Sequence, residues 1–325
     1  MIYDDMINII EPIDRMLLKN ELTPQRRLRK TNKASNEVYA FTAAEAPMLM
    51  REVGRLREEA FRASGGGTGE EVDIDGEDLV DNGYCQLIVW DPEVEEIVGG
   101  YRFIVSTDKN PKHLSTEHYF NFNDNFREDY LPYTIELGRS FVQIGYQVKG
   151  RSKSIYALDN LWDGLGALMV LNPHVKYLFG KVTMYTTYNV EARNTLVWFL
   201  NRYFPDNDRL ITAHYPLVFD LNNKEYESIF VGETYRENYH ILLQRIRKFN
   251  EVIPPIINAY MNLSETMKVF DTFLNTDFGE VEETGILITI EDLYADKSDR
   301  YRRWDGWDEN IESRIKLFKE HFIAK

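Results

Sequence analysis

One cysteine, Cys85, stands in 325 residues, so an internal disulfide and a multi-cysteine zinc site are both excluded. Its place in the apolar run Cys85 to Trp90 predicts a packing residue rather than a nucleophile. The six histidines are scattered and none has the partner four residues away that a helical metal site needs, so no metal is expected. No apolar run approaches the roughly 20 residues that cross a bilayer, and the first 20 residues carry acids where a secretory signal carries bases. A cytoplasmic location is the expectation. Positive charge is also scarce: 38 Lys and Arg face 53 Asp and Glu, and the net charge of -15 argues against a nucleic-acid binder. The run Gly65 to Gly69 lacks the Lys-Ser/Thr pair of a phosphate loop and reads as a hinge.

What is present is long enough for a sizeable core, with 43% hydrophobic residues. There is no internal repeat, so the chain divides by its periodicities. Residues 1–36 read as an irregular arm with a short helix. Within it Gln25 to Lys33 holds five bases and no acid, a solvated turn or a docking spot for an acidic partner. Glu37 to Phe41 reads as a strand, and a helix opens near Pro47 with Leu49, Val53, Leu56 and Ala60 on one face. Strands follow at Cys85 to Trp90, Ile97 to Val105 and Tyr133 to Gln143, then a helix (Ala157 to Leu171), a strand (Tyr177 to Thr183) and a helix (Val190 to Phe204). That alternation implies parallel pairing through a crossover. Asp206 to Glu251 is a mixed insertion, Pro254 to Leu263 a helix, and Met267 to Leu274 and Gly285 to Ile290 are strands. A tail over 294–325 puts Ile311, Ile315 and Phe318 on one helix face, either docked or lying on a membrane.

Four short motifs occur in order: Arg57-x-x-x-Phe61, Asp78-x-x-Asp81, Gly99-x-x-Arg102 and Glu136-x-x-Arg139. Together with the element order they resemble the autoinducer synthases of the GNAT superfold. The stretches Glu136-Leu-Gly-Arg-Ser-Phe-Val, Leu161-Trp-Asp-Gly-Leu, Tyr177-Leu-Phe-Gly and Ile253-Pro-Pro-Ile-Ile-Asn-Ala-Tyr look like the hemolysin-like acyltransferases that move an acyl chain onto an amino acid. Over Arg51 to Leu293 the likeness is greater to the glycine N-acyltransferases of glycine-lipid synthesis than to the ornithine enzymes. Gln86 stands where many ornithine-type sequences have histidine, and the smaller autoinducer enzymes have no counterpart of 206–251. The resemblance implies an α/β fold with a GNAT-like mixed central sheet over 37–293, one splayed strand pair and flanking helices. It implies transfer of a long-chain, 3-hydroxylated acyl group from acyl carrier protein to a small amino acid, glycine first. Peripheral contact with the inner membrane through the product or the tail is a further expectation.

An amine must lose a proton before it attacks a thioester, and Glu136 is the candidate base. Its alternative role is an ion pair with Arg139. On a regular strand these two side chains point to opposite faces, so a bulge at Leu137-Gly138 is expected to bring them together and to splay the strand from Tyr177 to Thr183. The gap would take the pantetheine arm as an added strand, with backbone N–H groups near Phe141, Val142 and Gln143 for the oxyanion. By resemblance Arg57, Asp78, Asp81 and Arg102 form a charged cluster that orders the acceptor, or a structural ion-pair network; Phe61 contacts substrate or packs in the core. Acetyl-CoA users carry a glycine loop with closely spaced glycines before the central helix; here Gly145 and Gly150 are five apart. That favours a carrier-protein thioester over acyl-CoA as co-substrate, met by Lys149, Arg151 and Lys153, which are otherwise a solvated basic loop. The rival readings are an acetyl-CoA-dependent N-acetyltransferase of a small amine and a non-catalytic lipid-binding or membrane-acting protein.

Overall fold

Strand and helix periods become elements close to where the sequence places them. The computed structural model describes residues 7–108, 112–148, 153–302 and 311–323. The strands are β1 (Arg27–Lys30), β2 (Glu37–Phe41), β3 (Cys85–Asp91), β4 (Glu96–Val105), β5 (Phe120–Phe122), β6 (Thr134–Val142), β7 (Tyr177–Met184), β8 (Ile211–Ala213), β9 (Lys268–Asn275) and β10 (Val281–Thr289). The helices are α1 (Arg15–Glu21), α2 (Pro47–Ala63), α3 (Gly76–Leu79), α4 (Ala157–Leu171), α5 (Val190–Tyr203), α6 (Asn223–Ile229), α7 (Tyr235–Arg247), α8 (Pro255–Met261), α9 (Ala295–Arg302) and α10 (Ile311–Phe322).

Eight strands make one mixed sheet in the order β1-β2-β3-β4-β6-β7-β10-β9, while β5 and β8 pair separately. All its neighbours are antiparallel except β6 and β7, which run parallel because α4 carries the chain back across the sheet. Strand alternation divides the core. Leu87, Val89, Leu137, Leu178 and Val182 face α4 and α5. On the opposite face Ile88, Trp90 and Phe141 pack beneath α2. Further along that face Phe179 and Leu287 meet Phe120 and Phe126. The two covers on this second face leave a space between them at the centre of the sheet.

Several local features differ from the sequence expectation. The 1–36 arm contributes β1, which pairs with β2 as the edge of the main sheet. Three of the five bases in its basic run are tied down: Arg26 donates to the carbonyls of Glu21 and Glu45, Arg27 pairs with Glu37 at 3.0 Å, and Arg29 is buried against Asn32, while Lys30 and Lys33 are exposed. Gly65 to Gly69 is not a hinge. The buried Glu58 carboxylate accepts from the Thr68 and Gly69 amides at 3.0 and 2.8 Å and from the Thr68 hydroxyl, which pins the loop to α2. The start of α2 is capped from outside: Glu21 accepts from the amides of Met48 and Leu49 at 3.1 and 2.7 Å, serving the orphan donors that Ala46 has no side chain to meet. Asp163, unassigned by sequence, holds the turn after β1 through both the amide and the side chain of Asn32. In the tail α10 is docked, with Phe318 buried against Phe103 at a ring separation of 6.3 Å. Among the described residues no helix is long and apolar enough to cross a membrane.

Candidate functional site

The site begins with an irregularity in β6. Arg102 of β4 faces Gly138 and Gly100 faces Phe141, so Arg139 and Ser140 together oppose Tyr101 alone. This is a β-bulge, and Arg139 takes the strain with φ at +50°. The bulge thus lies two residues beyond the expected Leu137-Gly138, because Gly138 keeps its regular partner. Its consequence is the expected one. Before it the even-numbered Glu136 lies on the second face; after it the odd-numbered Phe141 does, so the alternation has been reset.

Pairing with β7 stops at the same place. The parallel register runs only from Thr134 opposite Tyr177 to Leu137 opposite Gly180. At Gly180 a β-carbon would lie 2.4 Å from the Leu137 carbonyl oxygen, so only glycine permits the last contact before the strands part. Beyond it β6 follows β4 and β7 follows β10. A cavity of about 750 Å³ occupies the divergence, walled by Glu136 to Ser140 on one side and Lys181 to Thr183 on the other. Pro254 to Ile256, leading into α8, reach its far end.

Glu136 is 1% exposed yet lines this cavity. Ser115 Oγ donates to its Oε1 at 2.7 Å and Thr116 Oγ1 to its Oε2 at 3.0 Å. Both hydroxyls come from a short helical turn, Ser115–His118, whose first amide donates to the Tyr84 hydroxyl at 2.8 Å. Burial raises the Glu136 carboxyl above its ordinary value, and the hydroxyls of Ser115, Tyr84 and Thr116 with the charge of Arg102 oppose the rise. Among the described residues Glu136 forms no ion pair. Arg139 pairs instead with Asp75 at 3.3 Å and Asp73 at 3.5 Å, and its guanidinium covers the Phe278 ring at 4.7 Å.

The charged motifs converge beneath one wall of the cavity. Arg57 reaches Asp78 at 3.4 Å and Gln86, and Gln86 donates to Asp78 at 2.8 Å. Arg102 bonds Asp75 at 2.7 Å and stacks over Tyr84 at 4.6 Å. Burial would raise the Asp75 carboxyl, but Arg102 and Arg139 hold it down at about 2. Arg57 and Asp78 are fully buried below the lining, whereas Arg102 and Phe61 reach it. Asp81 does not belong to the cluster: it is exposed in the turn after α3, because that helix ends at Leu79 and Val80 is extended. Gln86, where a histidine was the family alternative, is a member of the network that the four motifs did not include.

Three further expectations change. Phe141 turns its ring into the core under α2, and the Gln143 amide donates to the Val98 carbonyl at 2.9 Å. Alternation leaves the Val142 amide facing the open edge, where the Val142 carbonyl accepts from Gln147 Nε2 at 2.7 Å. Lys153 is no free docking base, since it pairs with Asp91 at 2.9 Å and Glu93 at 2.8 Å. Lys149 and Arg151 lie outside the described residues. Sequence reasoning missed Ser115, Thr116, Lys181 and Glu283. Lys181 Nζ lies 2.6 Å from Glu283 Oε2 and 4.2 Å from the centre of the Tyr119 ring, and both charged groups line the cavity. The one signal in the sequence is a lysine on the cavity face of an otherwise apolar strand.

Residues 56–156 match an acetyltransferase (GNAT) domain. A glycine N(alpha)-acyltransferase of Bacteroides thetaiotaomicron is 51% identical over 91% of this chain and 90% of its own length. A protein of the same name from Phocaeicola vulgatus is 51% identical over 91% of this chain and 93% of its own. The solved structure of a CoA-dependent acyl-homoserine lactone synthase gives a TM-score of 0.33 at 13% identity, covering 87% of this chain and 99% of that one. Identity of this depth across nearly the whole sequence makes the protein an N-acyltransferase, and the chain belongs to the glycine N(alpha)-acyltransferase family.

Proposed function

We propose that the enzyme transfers a long-chain 3-hydroxyacyl group from acyl carrier protein to the amine of glycine, as a step in amino-acid lipid synthesis. The observation that carries the reading is the cavity at the β6–β7 divergence with the desolvated Glu136 on its wall. The pantetheine arm lies along the open edge of β6 beyond Leu137, its amides pairing as an added strand would. The glycine amine gives a proton to Glu136, directly or through the Ser115 hydroxyl, and its lone pair attacks the thioester carbon. A backbone amide of the bulge next to Glu136, freed where β7 leaves β6, donates to the oxyanion. The C–S bond then breaks and the thiol leaves with a proton. Arg139, Arg102 and Phe61 hold the acceptor side, while buried Arg57 and Asp78 support that wall from behind. The acceptor follows the names of the two relatives. The carrier-protein donor follows the wide glycine spacing before α4.

The test is incubation of the purified protein with 3-hydroxyacyl carrier protein, the matching acyl-CoA and acetyl-CoA, each with a panel of amino acids, followed by mass spectrometry. N-(3-hydroxyacyl)glycine from the carrier thioester is expected at least tenfold faster than from acyl-CoA. Acetyl transfer with no long-chain product would overturn the reading in favour of a small-amine N-acetyltransferase.

A further inference from the structure

A base and an oxyanion donor do not orient the acceptor. Glycine carries one other group, its carboxylate; Arg102, Arg139 and Lys181 line the cavity, and Arg102 is taken up by Asp75 at 2.7 Å. Lys181 rises from β7 on the same sheet face as Glu136, two residues beyond Phe179, the register partner of Glu136. One strand spacing and two residues of rise separate the two positions by roughly 8 Å before the splay widens them. That span admits an α-amino acid with its amine at one end and its carboxylate at the other. Arg139 reaches the same space from the bulge of β6.

The surroundings of both cations leave room for an anion. Glu283 is held also by Asn275 Nδ2, which donates to the same Oε2 at 2.9 Å, and by the Thr183 hydroxyl on Oε1 at 3.3 Å, and Lys181 gives it one of three ammonium donors. Arg139 meets Asp75 and Asp73 only at 3.3 to 3.5 Å, longer than a charge-assisted bond, and its guanidinium lies flat on Phe278. The positive charge of Arg139 acts against the Lys181 ammonium, which burial already lowers from its ordinary value, while Glu283 and Glu136 oppose the fall. Like charges facing one desolvated space repel, and an anion between them removes the repulsion.

We propose that the acceptor carboxylate binds between Lys181 and Arg139, making these two the acceptor-orienting residues and directing the amine toward Glu136. The proposal rests on the amino-acid acceptor reading. Its consequence is selection for an amine that carries a carboxylate, and the test compares glycine with glycinamide. The wild type is expected to favour glycine by at least 100-fold in kcat/KM. The Lys181→Met/Glu283→Gln double variant removes the buried acid together with its cation; it is expected to raise the KM for glycine tenfold or more, with kcat and the KM for the thioester little changed. Glycinamide turnover should not move. Acetate, a carboxylate without an amine, is expected to inhibit the wild type competitively against glycine, a measurement independent of any variant. Equal use of the two amines by the wild type, equal loss of both in the double variant, or no inhibition by acetate would overturn the proposal alone. Transfer only to amines that are not amino acids would overturn the acceptor reading as well.

Discussion

Glu136 is held by hydroxyl groups and, among the described residues, by no ion pair, which is the setting that keeps a carboxylate desolvated yet able to take a proton. Its folded-state pKa lies above the ordinary 4.5, so the folded chain binds more protons than the unfolded one in the window above that value. This group therefore favours folding at low pH, and its contribution is lost as pH rises through the window. Activity runs the opposite way, since the base works only after losing its proton. The rising limb of kcat/KM against pH is expected above pH 4.5, and Glu136→Gln should abolish it while lowering kcat by about 10²- to 10⁴-fold. A variant that keeps the limb would remove Glu136 from the proton transfer. Glu136 itself was legible, because a motif of four residues carries it. Its donors were not: Ser115 and Thr116 come from one turn and Tyr84 from another segment, and only the folded contact links them to Glu136. Lys181 and Glu283 were hidden for the same reason, since they lie 102 positions apart and meet only through the β7–β10 register.

The element that makes the site is the bulged strand. Glycine at 138 drew the expectation two residues too early, because glycine tolerance marks where a bulge is cheap, whereas Arg139 accepts φ of +50° held between two aspartates and the Phe278 ring. The long strands and helices were legible from their periods: β2 and α4 have the expected bounds, and the parallel β6–β7 pair follows from the helix between them. β1 was concealed by its charge, since four of the residues from Arg26 to Lys30 are basic, and the Glu37 partner of Arg27 lies on the next strand. β5 and β8 have three residues each, too few for an alternation to show. If the divergence of β6 and β7 is the donor slot, filling it from the bulge should block the donor. Ser140 lines the cavity and is half-buried, so Ser140→Trp is expected to raise the KM for the acyl donor at least tenfold with a change in Tm of only a few degrees. An unchanged donor KM would place the slot elsewhere.

Across the whole molecule, the network of Arg57, Arg102 and Arg139 with Asp73, Asp75 and Asp78 ties α2, the acidic 70–81 segment, β4 and β6 into one wall. Such a buried network is weak evidence for stability, because desolvation offsets much of the attraction; holding the wall in one geometry is its better-supported use. The segment 206–251 extends the apolar core beyond α5 through Leu242 and Ile246 of α7, and α10 closes the opposite edge of α4. These additions enlarge the core without entering the cavity, so the site is built by the central sheet and its second face. The direct test is an experimental structure of the enzyme with a non-hydrolysable acyl-pantetheine thioether and glycine. The expected result is pantetheine paired to the edge of β6 beyond Leu137, with its sulfur beside the glycine amine and Glu136. Pantetheine bound away from the β6–β7 divergence, with Glu136 facing no ligand, would contradict the account.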